Sequence, residues 1–141
     1  MLHLTKLAVG IRDVAHLRAV QAARGAADPP LRHRTGNFPR RAEEIADGGS
    51  IYWVIAGALV VRQRVLAIIE DTRDDGTTRC AGILLHKRLI AVAGRPTKPF
   101  QGWRYLAAED APPDIVGRAV ARGETALPPR LRRELQALGL L

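Results

Sequence analysis

The residues best equipped for chemistry are basic and aromatic side chains in and after the most apolar stretch of the chain, residues 47–69. Arg62 and Arg64 stand inside this stretch, two positions apart. On a strand, residues at this spacing point the same way and lie about 7 Å apart, close to the spacing of adjacent phosphates along a nucleic-acid strand. The simpler explanation is a solvent-facing stripe on a half-exposed sheet, and the sequence leaves both open.

A second candidate stretch, residues 100–105, interleaves aromatic rings with polar side chains. Trp103, Arg104 and Tyr105 are consecutive there, and Arg95 and Lys98 precede them in a loop that contains two prolines. Aromatic rings stack on nucleic-acid bases, while basic side chains hold phosphates. The alternative is that the two aromatics fill the core beside the sheet, the usual place for an aromatic on one strand face.

These stretches, together with the glycine pair that precedes the apolar run, define a candidate site. The basic side chains would contact phosphates or another anion, and the aromatic side chains would stack on a base or line its pocket. The glycine-containing loop at the entry to the apolar run would form the backbone part of the site. The basic set is Arg62, Arg64, Arg95, Lys98 and Arg104, the aromatic set is Tyr52, Trp53, Trp103 and Tyr105, and the loop is Gly48, Gly49 and Ser50.

The sequence contains no motif that identifies an enzyme. It has no Walker-type glycine loop and no Gly-x-Gly-x-x-Gly after a strand. Its four histidines never stand at paired metal spacing, and its single cysteine, Cys80, excludes an internal disulfide and any multi-cysteine zinc site. We therefore predict no catalytic residues, no metal and no cofactor, and we lean towards a protein that is not an enzyme.

The bulk composition describes a basic globular protein. The 141 residues predict a single domain, 1–141, and the net charge of +8 favours polyanionic partners such as RNA. Lysine occurs only at positions 6, 87 and 98, and an arginine-rich composition also follows from a GC-rich genome. The oligomeric state stays open.

Two features of the chain predict a cytoplasmic protein without membrane contact. Its start lacks the basic and apolar regions of a signal peptide, and its longest apolar run, residues 51–61, is too short to span a bilayer. A single cysteine fits a reducing compartment.

Apolar periodicity predicts an α+β fold. Strands are expected at 2–9, 31–35, 51–55, 59–69, 78–85, 89–93 and 103–106, with turns at Ala56-Gly57 and Asp74-Asp75-Gly76 and a polar connection at 86–88. Helices are expected at 13–24, 40–46, 113–122 and 129–138. The prediction is a mixed, mainly antiparallel sheet or a small barrel, surrounded by three to four helices.

Several of these segments resemble an alphaproteobacterial domain-of-unknown-function family, serial number one-four-eight-nine. The segments that carry the resemblance are 4–10, 39–55, 62–64, 99–106 and 127–140. The resemblance implies a small cytosolic protein and supplies no activity or catalytic residue. A weaker similarity links residues 41–54, a short helix, a glycine and a strand, to the PUA-like barrels, especially the ASCH group, which often bind RNA or modified bases. This chain lacks the ASCH group's Gly-x-Lys-x-x-Glu-x-Arg pattern, so no site is transferred.

Three hypotheses of function follow. The first is a binding module for RNA or another nucleic acid, built from the basic and aromatic sets. The second is an enzyme or binding protein for a small anionic ligand, with a pocket at the 48–57 bend. The third is a structural or interaction protein that docks through its C-terminal amphipathic helix, residues 129–138.

Overall fold

A computed structural model describes residues 1–115 of the chain. Within that range it consists of one sheet, two helices and a single-turn 3-10 helix. The strands are β1 (Leu2–Leu7), β2 (Arg32–Thr35), β3 (Ser50–Ile55), β4 (Ala58–Thr72), β5 (Arg79–Pro96) and β6 (Trp103–Ala107). The helices are α1 (Val14–Ala27) and α2 (Ala42–Ala46), and the 3-10 helix is Ala108–Asp110.

The six strands form one mixed sheet in the order β2-β5-β4-β3-β1-β6. Only β1 and β3 are parallel, and the other neighbours are antiparallel. The prediction of a mixed, mainly antiparallel sheet is confirmed. The barrel form is not supported, because among the described residues β2 and β6 end the sheet without pairing with each other. The fold is mostly β, so α+β describes it only loosely.

Fewer helices are seen than the three to four predicted. Only α1 and α2 are α-helices among residues 1–115, and the predicted helix 113–122 does not begin where expected. Asp114 instead forms a β-bridge with Val92, because Ala93 N–H binds the Pro113 carbonyl and Ile115 N–H binds the Ala91 carbonyl. Residues 116–122 and the predicted helix 129–138 lie outside the described residues.

The hairpin of β3 and β4 follows from its turn residues. Ala56 and Gly57 have φ angles of 52° and 80°, so both central residues of the two-residue turn are left-handed. This geometry matches the twist of the flanking strands. The turn sets the register in which Tyr52 pairs with Arg62 and Ser50 with Arg64.

The prediction of two short strands at 78–85 and 89–93 is wrong in one respect, because both segments belong to the single long strand β5. His86, Lys87 and Arg88 lie inside it and are exposed, so their polarity marks a solvent-facing stretch of strand where the sequence suggested a connection. Register shifts between β4 and β5 at Gln63/Val65 and Val65/Ala67 accompany this stretch. A bulged strand bends there without ending.

Helix α1 begins where its capping residue predicts. The Asp13 carboxylate accepts a hydrogen bond from His16 N–H at 2.7 Å, which satisfies one of the unpaired amides of the first turn. The predicted stop at Gly25 is wrong, because the helix continues to Ala27. Gly25 faces Leu31, where an added Cβ would lie 3.8 Å from the leucine Cβ. The loop that leads from α1 into β2 therefore packs against the last turn of the helix.

Side chains from both faces of the sheet are buried. One face, called here the α1 face, packs Ile51, Trp53 and Val61 against Leu17 of α1. The opposite face holds a smaller cluster that includes Tyr52, Val54 and Leu106. All six residues of β3 are therefore buried, as its β-branched and aromatic composition predicts.

Candidate anion-binding site

A cavity of about 190 Å³ opens between α1 and the α1 face of the sheet. We call it the inner cavity. Leu17, Leu31 and Leu85 are among its apolar walls, and its polar lining comes from Lys6, Gln21, Arg24, Arg32 and His33, with the Trp53 ring at the sheet. Lys6 reaches it because it shares the inward face of β1 with Leu2 and Leu4, which are buried in the same core.

Two buried amides fix one side of the inner cavity. Gln63 donates to Gln21 Oε1 at 2.7 Å and accepts from Gln21 Nε2 at 2.9 Å, so the two side chains form a reciprocal pair. Gln63 also accepts from Trp53 Nε1 at 3.1 Å and donates to the His86 carbonyl at 2.8 Å. Gln63 is completely buried, and each polar atom of its side chain has two partners. This network holds the Trp53 ring and Gln21 in place.

A second, open cleft of about 600 Å³ adjoins the inner cavity and shares Arg24, Arg32 and His33 with it. We call it the outer cleft. The Asp71 carboxylate fixes two arginines that line the outer cleft. It accepts hydrogen bonds from Arg32 Nε at 2.5 Å and from Arg34 Nε at 3.1 Å. Hydrogen bonds from Arg32, above all, lower the pKa of Asp71 to about 2.

Three cations converge on His33 where the cavity and the cleft meet. Burial is the main cause that lowers the pKa of His33 to about 4, and the charges of Lys6, Arg24 and Arg73 lower it further. Burial also lowers the pKa of Lys6. None of these three cations forms a salt bridge with an acidic side chain among residues 1–115.

The His33 ring is neutral and incompletely hydrogen-bonded. Its edge packs against Trp53, with ring centroids 5.2 Å apart. Its Nε2 is buried and has no hydrogen-bond partner in the described part of the chain. An unsatisfied buried polar atom destabilises the fold by about 1–3 kcal/mol, which is uncommon unless the atom has another use. The arrangement is suited to a ligand that brings negative charge and a hydrogen-bonding group.

The basic residues predicted from the sequence lie elsewhere, mainly on the opposite face. Arg104 pairs with Thr5, Thr5 with Tyr52, and Tyr52 with Arg62, so these side chains form a row across four strands. Arg62 is not free, because its Nε and Nη2 donate to the Asp114 carboxylate at 2.6 and 2.7 Å. Its remaining nitrogen, Nη1, donates to a serine hydroxyl, Ser50 Oγ, at 2.9 Å.

The other predicted basic side chains are exposed. Arg64 follows Arg62 on β4, and Arg104 lies with its guanidinium carbon 4.8 Å from the centre of the Phe100 ring. Arg95 donates to the Asp110 carbonyl at 2.7 Å, and Lys98 lies in the loop after β5. The structure thus brings Arg62, Arg64 and Arg104 to one face, and their role as phosphate contacts stays a prediction.

The predicted aromatic residues are divided between the two faces. Trp53 is buried in the α1 face, whereas Tyr52 is buried in the opposite face, where the His3 ring packs edge-on 5.0 Å away. Trp103 and Tyr105 lie next to each other on β6, with their ring centroids 4.9 Å apart. Their polar atoms bind the segment before α2, since Trp103 Nε1 donates to the Asn37 carbonyl and Tyr105 Oη accepts from the Arg41 amide.

Backbone packing explains the glycines of the predicted loop, residues 48–50. An added Cβ at Gly49 would overlap the carbonyl oxygens of Leu2 and Ile45, so only glycine fits where α2 turns into β3. Gly48 has a φ of 94°, and Ser50 is completely buried. The Ser50 amide donates to His3 Nδ1 at 3.0 Å, and burial lowers the pKa of His3. None of these loop residues lines the inner cavity or the outer cleft.

Sequence reasoning missed Gln21, His33, Arg24 and Arg73 as site residues, and it noted Lys6 only as one of the three lysines. The sequence did contain one signal: polar residues stand at positions where the helical or strand periodicity predicts apolar ones. Gln21 follows Val14 and Leu17 at helical spacing, and Gln63 interrupts the apolar face of β4. Such interruptions mark buried polar networks.

Two further properties concern the described residues alone. No helix among residues 1–115 is both long and apolar enough to cross a membrane. The same residues contain no cluster of three or more His, Cys, Asp or Glu side chains that could hold a metal ion.

Residues 1–115 thus form a small, mostly β fold with a mixed six-stranded sheet and a cavity of about 190 Å³ under one helix. The chain belongs to the family described as protein of unknown function (DUF1489), whose model matches residues 4–141. No curated protein and no solved structure is significantly similar to it.

Proposed function

We propose that this protein binds a small anionic ligand in the outer cleft, with the less polar part of the ligand in the inner cavity. The observation that carries this proposal is that Lys6, Arg24 and Arg73 line the inner cavity or the outer cleft together with His33, whose buried Nε2 has no hydrogen-bond partner in the described part of the chain. Like charges close together repel each other, and the repulsion is stronger where the surroundings exclude water. A carboxylate or phosphate bound among them would remove that repulsion.

The shape of the site supports the same proposal. Binding sites for small molecules are concave and mostly apolar, with a few polar groups that fix the orientation of the ligand. The inner cavity has leucine, isoleucine and valine walls, and its polar groups lie together near His33. The outer cleft gives access from solvent. Three carboxylates also line it, and each is already engaged: Asp28 and Asp74 in salt bridges with Arg32 or Arg34, and Asp75 in hydrogen bonds with the amides of its own turn. This is the anionic-ligand hypothesis of the sequence, placed at α1 and β2 instead of the 48–57 bend.

Calorimetric titration with phosphate and pyrophosphate at constant ionic strength tests the proposal. We expect Arg24→Gln and Arg73→Gln each to weaken binding about 10- to 100-fold, because each removes a charge-assisted hydrogen bond worth about 1.5–3 kcal/mol. Arg18→Gln is the matched control, since Arg18 is an exposed residue of the same helix as Arg24. Equal affinities for Arg24→Gln and Arg18→Gln would contradict the proposed site.

A nucleic-acid interface on the opposite face is a second candidate. It is supported by the exposed Arg64 and by the stacking of Arg104 on Phe100, a pairing suited to holding a phosphate beside a base. Lys98 and Arg95, exposed in the connection between β5 and β6, would extend it. Tyr52 and Arg62 would support this face from within, since both are engaged there with other residues.

Fluorescence anisotropy with a mixed-sequence single-stranded RNA tests the second candidate. We expect binding at low salt that weakens steeply as salt rises. Arg64→Glu/Arg104→Glu should reduce the slope of log K against log salt by about 1.4, because each lost phosphate contact on a single strand is worth about 0.7. The double variant Arg12→Glu/Arg18→Glu, at two exposed arginines, is the control for the same change in net charge. No binding at low salt, or an unchanged slope, would exclude this interface.

A further inference from the structure

We propose that Lys6 is a nucleophilic amine that forms an imine with a carbonyl group on the bound ligand. The ligand class is therefore a small aldehyde or ketone that also carries a phosphate or carboxylate. The inference rests on the proposed function, because the anionic group would be held by the cations of the outer cleft while the carbonyl enters the inner cavity.

The position of Lys6 provides the geometry. It lies near the end of β1 on the inward pleat, where its neighbours on the same face, Leu2 and Leu4, are buried. Its ammonium group makes a single contact among the described residues, a 3.4 Å hydrogen bond to the Leu7 carbonyl. No carboxylate of residues 1–115 lies within salt-bridge distance to hold the proton. Its side chain lines the inner cavity together with Leu17 and His33.

The surroundings of Lys6 favour the neutral amine, which is the form that reacts. An amine is disfavoured as a cation when it loses contact with water or lies near other cations, and lysines in such sites act as nucleophiles. Burial lowers the pKa of Lys6, and it faces no acidic group from α1, β2 or β3 that would oppose this effect. The other two lysines, Lys87 and Lys98, are exposed and provide the comparison.

The chemistry balances without an external oxidant or reductant. The lone pair of Lys6 Nζ attacks the carbonyl carbon, a C–N bond forms, and the carbonyl π bond breaks to leave a hydroxyl. That hydroxyl carries one of the two protons of the neutral amine, so the carbinolamine loses the hydroxyl together with the one remaining proton of the nitrogen as a molecule of water, and the C=N bond forms. Lys6→Arg keeps a long basic side chain that can still pair with an anion but cannot form this bond, so it separates covalent chemistry from ion pairing.

Trapping with pyridoxal 5′-phosphate, an aldehyde that bears a phosphate, tests the inference on the full chain. The imine is reduced with borohydride at low probe concentration, and the labelled lysines are identified by peptide mass spectrometry. We expect the label on Lys6 to exceed that on Lys87 and Lys98, since burial lowers the pKa of Lys6 and so raises the fraction of its amine that is neutral. Inorganic phosphate should reduce the label on Lys6 alone, and Lys6→Arg should lose it.

The outcomes separate this inference from the proposed function. If phosphate binds with the Arg24 dependence described above but the three lysines are labelled equally, the nucleophile is overturned and the anion site stands. If phosphate does not bind and does not protect Lys6, the proposed function is overturned, and with it the ligand class inferred here. Preferential labelling of Lys6 that Arg24→Gln weakens, while Arg18→Gln does not, supports both.

Discussion

Replacement of Gln63 by leucine tests whether the buried amide network positions the site. Gln63→Leu keeps most of the side-chain volume but removes four hydrogen bonds, two with Gln21 and one each with Trp53 and the His86 carbonyl. Since Gln63 is completely buried, no water replaces its amide. The change therefore tests how much these hydrogen bonds stabilise the fold, with little effect on packing.

The expected loss follows from the groups that are left without partners. The Trp53 ring is only 3% exposed, so its N–H is stranded at a cost of about 1–3 kcal/mol. The Gln21 amide loses both partners at the wall of the inner cavity and adds about 1–2 kcal/mol, whereas the carbonyl of the exposed His86 adds little. We expect Gln63→Leu to lower the free energy of unfolding by about 3 kcal/mol, a large part of the 5–15 kcal/mol of a typical domain.

Urea unfolding followed by tryptophan fluorescence measures this loss, with Gln101→Leu as the exposed control. The double variant Gln21→Leu/Gln63→Leu should lose less than the sum of the two single variants by about 1–2 kcal/mol, because it leaves no orphaned amide. A loss below about 1 kcal/mol for Gln63→Leu, with additivity within about 0.5 kcal/mol, would refute the reasoning.

Three other changes give separate tests of the structure. The folded-state pKa of His33, about 4, lies below its ordinary 6.5, so the stability it contributes is full above pH 6.5 and declines towards pH 4. Urea midpoints should therefore show the wild type losing about 2 kcal/mol more than His33→Gln between pH 7 and pH 5, and parallel pH profiles would contradict this. Ala56→Asn should raise the free energy of unfolding by about 0.5–1 kcal/mol, because asparagine tolerates the φ of 52° better than alanine does; a lower urea midpoint would count against the turn geometry. Gly49→Ala should lower the melting temperature by more than about 10 °C, since its Cβ has no room, and an unchanged melting curve would disprove the close approach of the backbone at that point.

Local patterns predicted much of the sheet. Apolar periodicity predicted strand β1, and the β-branched and aromatic residues of 51–55 predicted the buried strand β3. The charged edge strand β2 and the turn at Asp74-Asp75-Gly76 were also correct, since Asp75 accepts hydrogen bonds from the Thr77 and Thr78 amides there. These features depend on neighbours in sequence, so a single chain is enough to reveal them.

The long strand β5 and the candidate site could not be predicted in the same way. Three consecutive polar residues are typical of a turn. The strand continues through them because the residues on either side pair with β4, Leu85 with Val65 and Leu89 with Gln63. The site combines Lys6, Arg24, His33 and Arg73 from four separate parts of the chain. Their proximity depends on strand order and helix placement, which composition and spacing do not encode.

The strand β2 connects the stability of the cleft to the site within it. Its alternate residues have different tasks: Arg32 and Arg34 bind the Asp71 carboxylate, while His33 faces the cavity. A slip of one residue would exchange the two faces and put arginines where the imidazole lies. The register is held by Asp71, which has room only because Gly82 lies beside it, where a Cβ would stand 2.9 Å from the carboxylate oxygen. The ion pairs of Arg32 and Arg34 with Asp71, in the wall of the outer cleft, thus favour the register in which the His33 side chain lies where the cleft and the cavity meet.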